Sequence, residues 1–218
     1  NPSWGINRGD AMELECNYLL MCDNLLDPTH VAWVHAGSFG QAATKSAPLR
    51  VKKTNDGVIV HRWMMDVEPA PFYKKVVGFN GNCDRLQHYE VRYPSNALIK
   101  AIFTPAGTGG SEGKLHDDVF IMDSYNFMTP VTESKTRYYW FQLRNIRPDD
   151  SALSQLMTDD VQQAFEEDRN VLNEVQKGMT NKTSPHIDLP IDAGQLRFRR
   201  QLQAMINEEE QVDKQMAQ

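Results

Sequence analysis

Two histidines, His30 and His35, end a segment dense in potential ligands, Asp23-Asn24-Leu25-Leu26-Asp27-Pro28-Thr29-His30. They are five residues apart, and five steps of a regular α-helix turn about 140° past a full turn, so both imidazoles reach one side only where the chain kinks or widens. Pro28 and Gly37 make such an irregularity available. A third candidate lies far along the chain. Advancing about 100° per residue from Val161, the apolar stripe of segment 151–177 centres close to Asp168. Val161 and Val175 fall nearly in line with it, and Ala164, Phe165, Val171 and Leu172 lie on the same face. Glu166, Glu167 and Arg169 point elsewhere, and Asp159 and Asp160 lie off the stripe. An acid in the middle of a core stripe is costly unless it is paired or bound to a cation. Asp168 therefore either pairs with an arginine, such as Arg62 or Arg137, or ligates a metal beside the two histidines. Two imidazoles and one carboxylate leave three positions of an octahedral ion open, the arrangement that lets Fe(II) bring dioxygen and a substrate together. Zinc accepts the same donors, so ligand identity alone does not choose the metal.

The elements that must position these residues follow from periodicity and breakers. Residues 12 to 37 read as mainly helical, in two pieces meeting near Asn24–Pro28, with Asp27 as a candidate N-cap for the second. After the turn signal Asn55-Asp56-Gly57 the pattern changes to strands: 58–63, Phe72 to Phe79, Leu86 to Tyr93, Leu98 to Thr104, Val119 to Met128 and Arg137 to Ile146. Gly107-Thr108-Gly109-Gly110 reads as a flexible loop. Consecutive strands with short connections predict an antiparallel sheet. Helical spacing returns over 151–177 and ends at Gly178; a loop from Ser184 to Pro190 leads to a last helix from Asp192 to Asn207. The polar stretch Glu208 to Gln218 is expected to be a mobile tail. The predicted fold class is α+β: a helix-grip (START-like) antiparallel sheet wrapped around a long C-terminal helix, with a cavity between them. One domain spans residues 1–207.

Composition narrows the function classes. Of 218 residues 40% are hydrophobic and 24% charged, which suits a globular chain with a sizeable core. A net charge of -6, with no basic block longer than Arg199-Arg200, argues against a nucleic-acid or anionic-membrane partner. No apolar run approaches the roughly 20 residues of a membrane helix. Cys16, Cys22 and Cys83 are too few and too scattered for a disulfide framework, which points to a reducing, cytoplasmic setting. No C-x-x-C or C-x-H pair occurs, so a cysteine-held cluster does not sit on this sequence.

The stretch from Asn17 to His35, with Asp23-Asn24-Leu25-Leu26-Asp27-Pro28-Thr29-His30 at its centre, resembles the D-N-L-x-D-x-x-H-x4-H signature of Rieske non-haem iron aromatic oxygenases, and in particular the vanillate O-demethylase oxygenase subunits. Asn126-Phe127-Met128-Thr129-Pro130-Val131-Thr132 and Thr136-Arg137-Tyr138-Tyr139-Trp140 resemble a strand pair of that group, and Phe165 to Leu172 resembles its acidic helix. The resembling segments occur in the family's order over roughly residues 12 to 210.

The resemblance implies the catalytic portion of an oxidoreductase that uses mononuclear Fe(II) and O2 on a small aromatic substrate, by oxidative O-demethylation of a methoxyarene. Ring hydroxylation is the closest alternative. His30, His35 and Asp168 become the metal ligands, and Asp27 the acid that bridges to a cluster-binding histidine of a neighbouring subunit. Asn24 becomes a residue lining the site, and Asn126 takes the strand position of a substrate contact. The resemblance further implies a [2Fe-2S] Rieske cluster on an N-terminal domain preceding Asn1 or on a separate chain, NAD(P)H acting through a reductase or ferredoxin, and a homotrimer. This portion alone is then expected to bind iron without turning over. Pro28 departs from the family pattern. Two other readings compete: a non-enzymatic helix-grip module for a hydrophobic ligand, and a zinc hydrolase, which lacks an H-E-x-x-H motif.

Overall fold

Five long strands carry the molecule, each built on alternation of inward and outward side chains. They are β4 (Gly57–Val67), β5 (Cys83–Arg92), β6 (Asn96–Pro105), β7 (Phe120–Thr132) and β8 (Lys135–Arg144) in a computed structural model that describes residues 3–41, 47–183, 185 and 187–216. On β7 the inward residues Phe120, Met122, Ser124, Asn126 and Met128 are buried, while Phe127 between them is exposed. On β8, Tyr138, Trp140, Gln142 and Arg144 are buried and Tyr139 is exposed. The short strands β1 (Gly5–Arg8), β2 (Met12–Leu14) and β3 (Arg50–Lys53) complete an eight-stranded sheet of order β1-β8-β7-β6-β5-β4-β3, with β2 also paired to β8. Every pairing is antiparallel. The register sets inward rows across the sheet: Arg85 opposes Phe103, which opposes Phe120, and farther along Tyr89 opposes Ile99, then Ser124, then Gln142.

The long helix α3 (Ser151–Thr180) crosses the inward face. Asp150 caps its start, accepting from the Leu153 N–H at 2.9 Å. The buried Arg144 guanidinium fixes the corner before it, donating from Nη2 to the carbonyls of Arg147 (2.9 Å) and Asp150 (3.1 Å) and to Ser154 Oγ (3.0 Å). Val161, Ala164, Asp168 and Leu172 are buried along the helix. Phe165 packs edge-on against Tyr138 and Trp140, with ring centroids 5.2 Å apart in each pair. The result is the expected α+β helix-grip architecture. Two further helices brace it: α1 (Tyr18–Asn24), and α4 (Ala193–Met216), whose Phe198 is fully buried and stacks on Tyr93 at 5.0 Å. Arg199 of α4 grips Asp23 of α1 through Nε, at 3.0 Å from both carboxylate oxygens.

Several expectations are corrected. Of the span 12–37, residues 12–14 form β2; only Tyr18–Asn24 is α-helical, and a 3-10 turn at His30–Ala32 is the second helical piece. The segment expected as a strand from Phe72 to Phe79 is instead α2 (Pro71–Val77). Pro71 starts it and Gly78, at φ 72°, ends it in the left-handed region, while Phe72, Tyr73 and Val76 form a helical buried face. Helix α3 passes through Gly178, and Val171 and Val175 of its expected core stripe are exposed, at 42% and 39%. They flank a surface groove rather than the sheet. The polar stretch after 207 continues α4 to Met216, as suits its helix-forming glutamates, glutamines and lysine; residues 217 and 218 lie outside the described residues. So do 184 and 186 of the expected loop. The glycine loop ends in a 3-10 turn, Gly110–Glu112.

Removing the α4 anchor or the α3 cap should separate two energy scales. Phe198→Ala is expected to cost about 3–5 kcal/mol and Asp150→Ala about 1 kcal/mol in urea unfolding. A Phe198→Ala loss below the Asp150→Ala loss would show that α4 lies outside the cooperative core.

Candidate metal centre

His30, His35 and Asp168 meet between the 30–39 segment and α3, and each offers a ligand atom within 4.8 Å of the others. His30 Nε2 lies 3.6 Å and His35 Nε2 3.1 Å from Asp168 Oδ1. The two imidazoles stand nearly perpendicular, at 77°, with centroids 5.3 Å apart. The irregularity that a five-residue spacing demands is present. The Val34 N–H closes on the His30 carbonyl at 2.8 Å, and the Ser38, Phe39 and Gly40 N–H groups converge on the His35 carbonyl. Gly40, rather than Gly37, is the glycine this path requires. A Cβ at 40 would lie 2.8 Å from the Val31 carbonyl oxygen, whereas one at 37 meets nothing within 4 Å.

Both imidazoles are held by their other nitrogen. His30 Nδ1 contacts the Asp27 carbonyl oxygen, and His35 Nδ1 lies 2.8 Å from Glu167 Oε2. The proton is assigned to Nδ1 in each ring because its partner there is an acceptor, which leaves both Nε2 atoms as lone-pair donors facing Asp168. Burial pulls the His35 pKa down, but the Asp168 and Glu167 carboxylates outweigh it, and the net direction is upward. The sequence reading turned Glu167 away from the site. A residue next to the stripe centre still reaches round α3 to a segment lying beside the helix, and no periodicity signals that.

Asp168 is 4% exposed, and its Oδ1 makes no aligned hydrogen bond. The arginine alternative fails: Arg62 donates to Gln87 Oε1 and the Pro28 carbonyl, and Arg137 pairs with Glu13. A buried carboxylate oxygen with no hydrogen bond, aimed at the same space as two imidazole lone pairs, is what a divalent cation satisfies. The residues present therefore fit a non-haem iron ion, with a donor set of two nitrogens and one carboxylate.

The centre opens onto a cavity of about 80 Å³ between α3 and the sheet. Ile99, Met122, Val161 and Phe165 give it an apolar wall; Arg85, Ser124 and Gln142 reach it from the inward rows. Ser124 Oγ is buried without a hydrogen bond. Asn126 sits one inward position beyond Ser124 and does not line the cavity. Its amide donates to the Ser124 carbonyl at 2.9 Å and accepts from Tyr138 Oη at 2.5 Å. On its other side His30 borders a surface groove that also holds Asn24 and Asp27. Asp27 Oδ1 accepts from the Thr29 N–H at 2.7 Å across the Pro28 turn, while the N-cap of the 3-10 turn is Thr29 rather than the expected Asp27, and Oδ2 lies 4.0 Å from His30 Nδ1. The Asn24 side-chain amide nitrogen is buried and has no hydrogen-bond partner.

The cysteines are free and buried. Desolvation raises the Cys16 and Cys83 thiols to about 11, so neither offers a thiolate at neutral pH. No helix among the described residues is long and apolar enough to cross a membrane.

The chain has relatives among known proteins. Over 222 residues the chain is 31% identical to the vanillate O-demethylase oxygenase subunit of Pseudomonas sp. (strain ATCC 19151), covering 99% of this chain and 67% of that protein. Over 197 residues it is 32% identical to a putative toluene-4-sulfonate monooxygenase system iron-sulfur subunit of Comamonas testosteroni, covering 88% of this chain and 57% of that one. Dicamba monooxygenase bound to 3,6-dichlorosalicylic acid superposes with a TM-score of 0.85 at 21% identity, covering 96% of this chain and 61% of that chain, a likeness of fold. The chain thus spans 57% to 67% of the length of these relatives. The model of the vanillate O-demethylase oxygenase C-terminal domain matches residues 14–208, nearly the whole sheet-and-helix body, and the chain belongs to that family.

Proposed function

We propose that this chain is the catalytic portion of a Rieske-type oxygenase that holds mononuclear Fe(II) and, with O2, oxidises a small aromatic substrate, most directly by O-demethylation of a methoxyarene. The observation that carries the proposal is the buried set His30 Nε2, His35 Nε2 and Asp168 Oδ1, whose carboxylate oxygen lacks a hydrogen bond at the head of an apolar cavity. Iron, when bound, supplies the redox chemistry that activates dioxygen. The protein's part is binding, orientation and water exclusion. The Asp27 carbonyl and the Glu167 carboxylate turn both imidazoles, so that each Nε2 faces Asp168. The apolar wall keeps bulk water from the substrate and lets an aromatic ring lie across the inward rows. Asn126 acts on the substrate end by holding Tyr138 and the strand that carries Ser124. In the balanced reaction, ArOCH3, O2, two electrons and two protons give ArOH, formaldehyde and water, through hydroxylation of the methyl and collapse of the resulting hemiacetal.

The two electrons must come from outside this chain, which has no cysteine–histidine pair for a cluster. They are assigned to NAD(P)H, by way of a reductase or ferredoxin and a [2Fe-2S] Rieske cluster on a preceding domain or separate chain. The groove holding Asn24 and Asp27 reaches His30 from the surface and is the entry assigned to them. With the cluster of one subunit serving the iron of the next, the working assembly is a homotrimer, in a reducing cytoplasm where Cys16, Cys22 and Cys83 stay free.

Anaerobic Fe(II) reconstitution tests the reading: about one iron per wild-type chain is expected, and none retained in His30→Ala, His35→Ala or Asp168→Ala. Wild-type protein that takes up no iron but binds an aromatic ligand would make this a helix-grip binding module instead. Glu167→Ala is expected to weaken iron binding about 10–100-fold. Because Glu167 is a third exposed, the change should leave unfolding free energy within about 0.5 kcal/mol of wild type. Unchanged iron affinity in that variant would remove Glu167 from the site.

A further inference from the structure

Helix α4 continues past the body it braces. Phe198, Leu202, Met205, Glu209, Val212 and Met216 follow one another at spacings of four, three, four, three and four residues, which sets them along one seam of the helix. The first half of that seam is covered, since Phe198 and Leu202 are buried. The second half is not. Met205, Val212 and Met216 are exposed, and so is every residue from 207 to 216. The matched family domain ends at residue 208, so this overhang lies beyond it. Glu209 stands in the middle of the uncovered seam, flanked by Glu208, Glu210 and Asp213. Of these four acids only Glu210 has a cation partner among the described residues, Lys214 at 3.8 Å.

The opposite charge is gathered near the start of the same helix. Lys53 of the edge strand β3, Arg197 and Arg200 line a surface groove together with Ala193 and Leu196. Lys53 Nζ donates to the neutral Gln201 Oε1 at 2.6 Å. Among the described residues none of the three cations pairs with a carboxylate, although the chain as a whole has a net charge of -6. Arg50 and Lys52 extend the positive field along β3. Like charges held together repel one another, and an acidic partner relieves that repulsion. The overhang cannot be that partner within its own molecule. Nine residues of continuous helix separate Arg200 from Glu209, about 14 Å of rod at 1.5 Å per residue.

We propose that the overhanging end of α4 in one copy docks on the Lys53, Arg197 and Arg200 groove of a second copy of this chain. Glu208, Glu209, Val212 and Met216 fall within about 100° of the helix surface, so two carboxylates and two apolar side chains are presented together. The carboxylates meet the cations, and the apolar pair covers Ala193 and Leu196. The surface that docks differs from the surface that receives it, so the contact is heterologous and runs head to tail. It uses no residue of the metal centre and stands independently of the oxygenase reading.

Sedimentation velocity of the full chain at rising concentration tests this. The wild-type chain, of 24.9 kDa, should self-associate, and about 1 M salt should weaken the association about tenfold or more by screening exposed charges. Ending the chain at Asn207 should weaken it at least as much. So should reversing the helix end (Glu208→Lys with Glu209→Lys) or the groove (Arg197→Glu with Arg200→Glu). All four side chains are exposed, so each variant should fold as the wild type does, with an unchanged circular dichroism spectrum. The chain carrying all four reversals should recover its association, because a basic helix end again meets an acidic groove. A monomeric wild type, association untouched by either pair of reversals, or a fourfold variant that fails to recover each overturns the proposal. Iron content measured on the same samples keeps the two ideas apart. A monomer that takes up iron loses the contact and keeps the metal centre, and association without iron uptake does the reverse.

Discussion

A carboxylate held at 4% exposure on the inner face of a helix is stable only if something returns the solvation it has lost, and Asp168 receives no hydrogen bond on Oδ1. Two imidazoles face it, and neither is an adequate partner while neutral. A cation shared among all three satisfies the carboxylate and both lone pairs at once. Most of the molecule can be understood as what keeps these three atoms within 4.8 Å of each other. The sheet supplies a surface long enough for α3 to cross, Arg144 and Asp150 fix where that helix begins, and Phe165 seats it on Tyr138 and Trp140.

The histidine side of the centre is held by tighter and less regular means. A regular helix would splay His30 and His35 apart, so the chain runs as a 3-10 turn followed by turns that share the His35 carbonyl. Gly40 is needed because a side chain there would strike the Val31 carbonyl. Each imidazole is then locked through Nδ1, one by backbone and one by Glu167. The segment faces two ways, toward the apolar cavity and toward the groove of Asn24 and Asp27.

Much of this was legible in the sequence where one physical signal dominates. Asp168 declared itself by sitting in the middle of an apolar stripe, and the strands declared themselves by turn residues at short intervals. Where two signals conflict, pattern reading failed. Residues 72–79 carry apolar residues at spacings that fit a strand or a short helix, and only Pro71 and Gly78 at its ends decide for α2. Strand β5 is more instructive. Its inward residues include Arg85 and Gln87, whereas the apolar Leu86 is only partly buried. Arg85 borders a cavity and Gln87 accepts from Arg62 Nε, and no alternation rule announces either. Glu167 and Ser124 were hidden for the same reason, since their roles come from what another element brings within reach.

The central claim is that these three side chains share one metal ion, and anomalous diffraction at the iron edge from crystals grown anaerobically with Fe(II) tests it most directly. The account predicts a single strong peak bounded by His30 Nε2, His35 Nε2 and an Asp168 carboxylate oxygen, with the cavity side of the ion open. A peak elsewhere, or iron-free density in which Asp168 hydrogen-bonds a protonated His35, would contradict it.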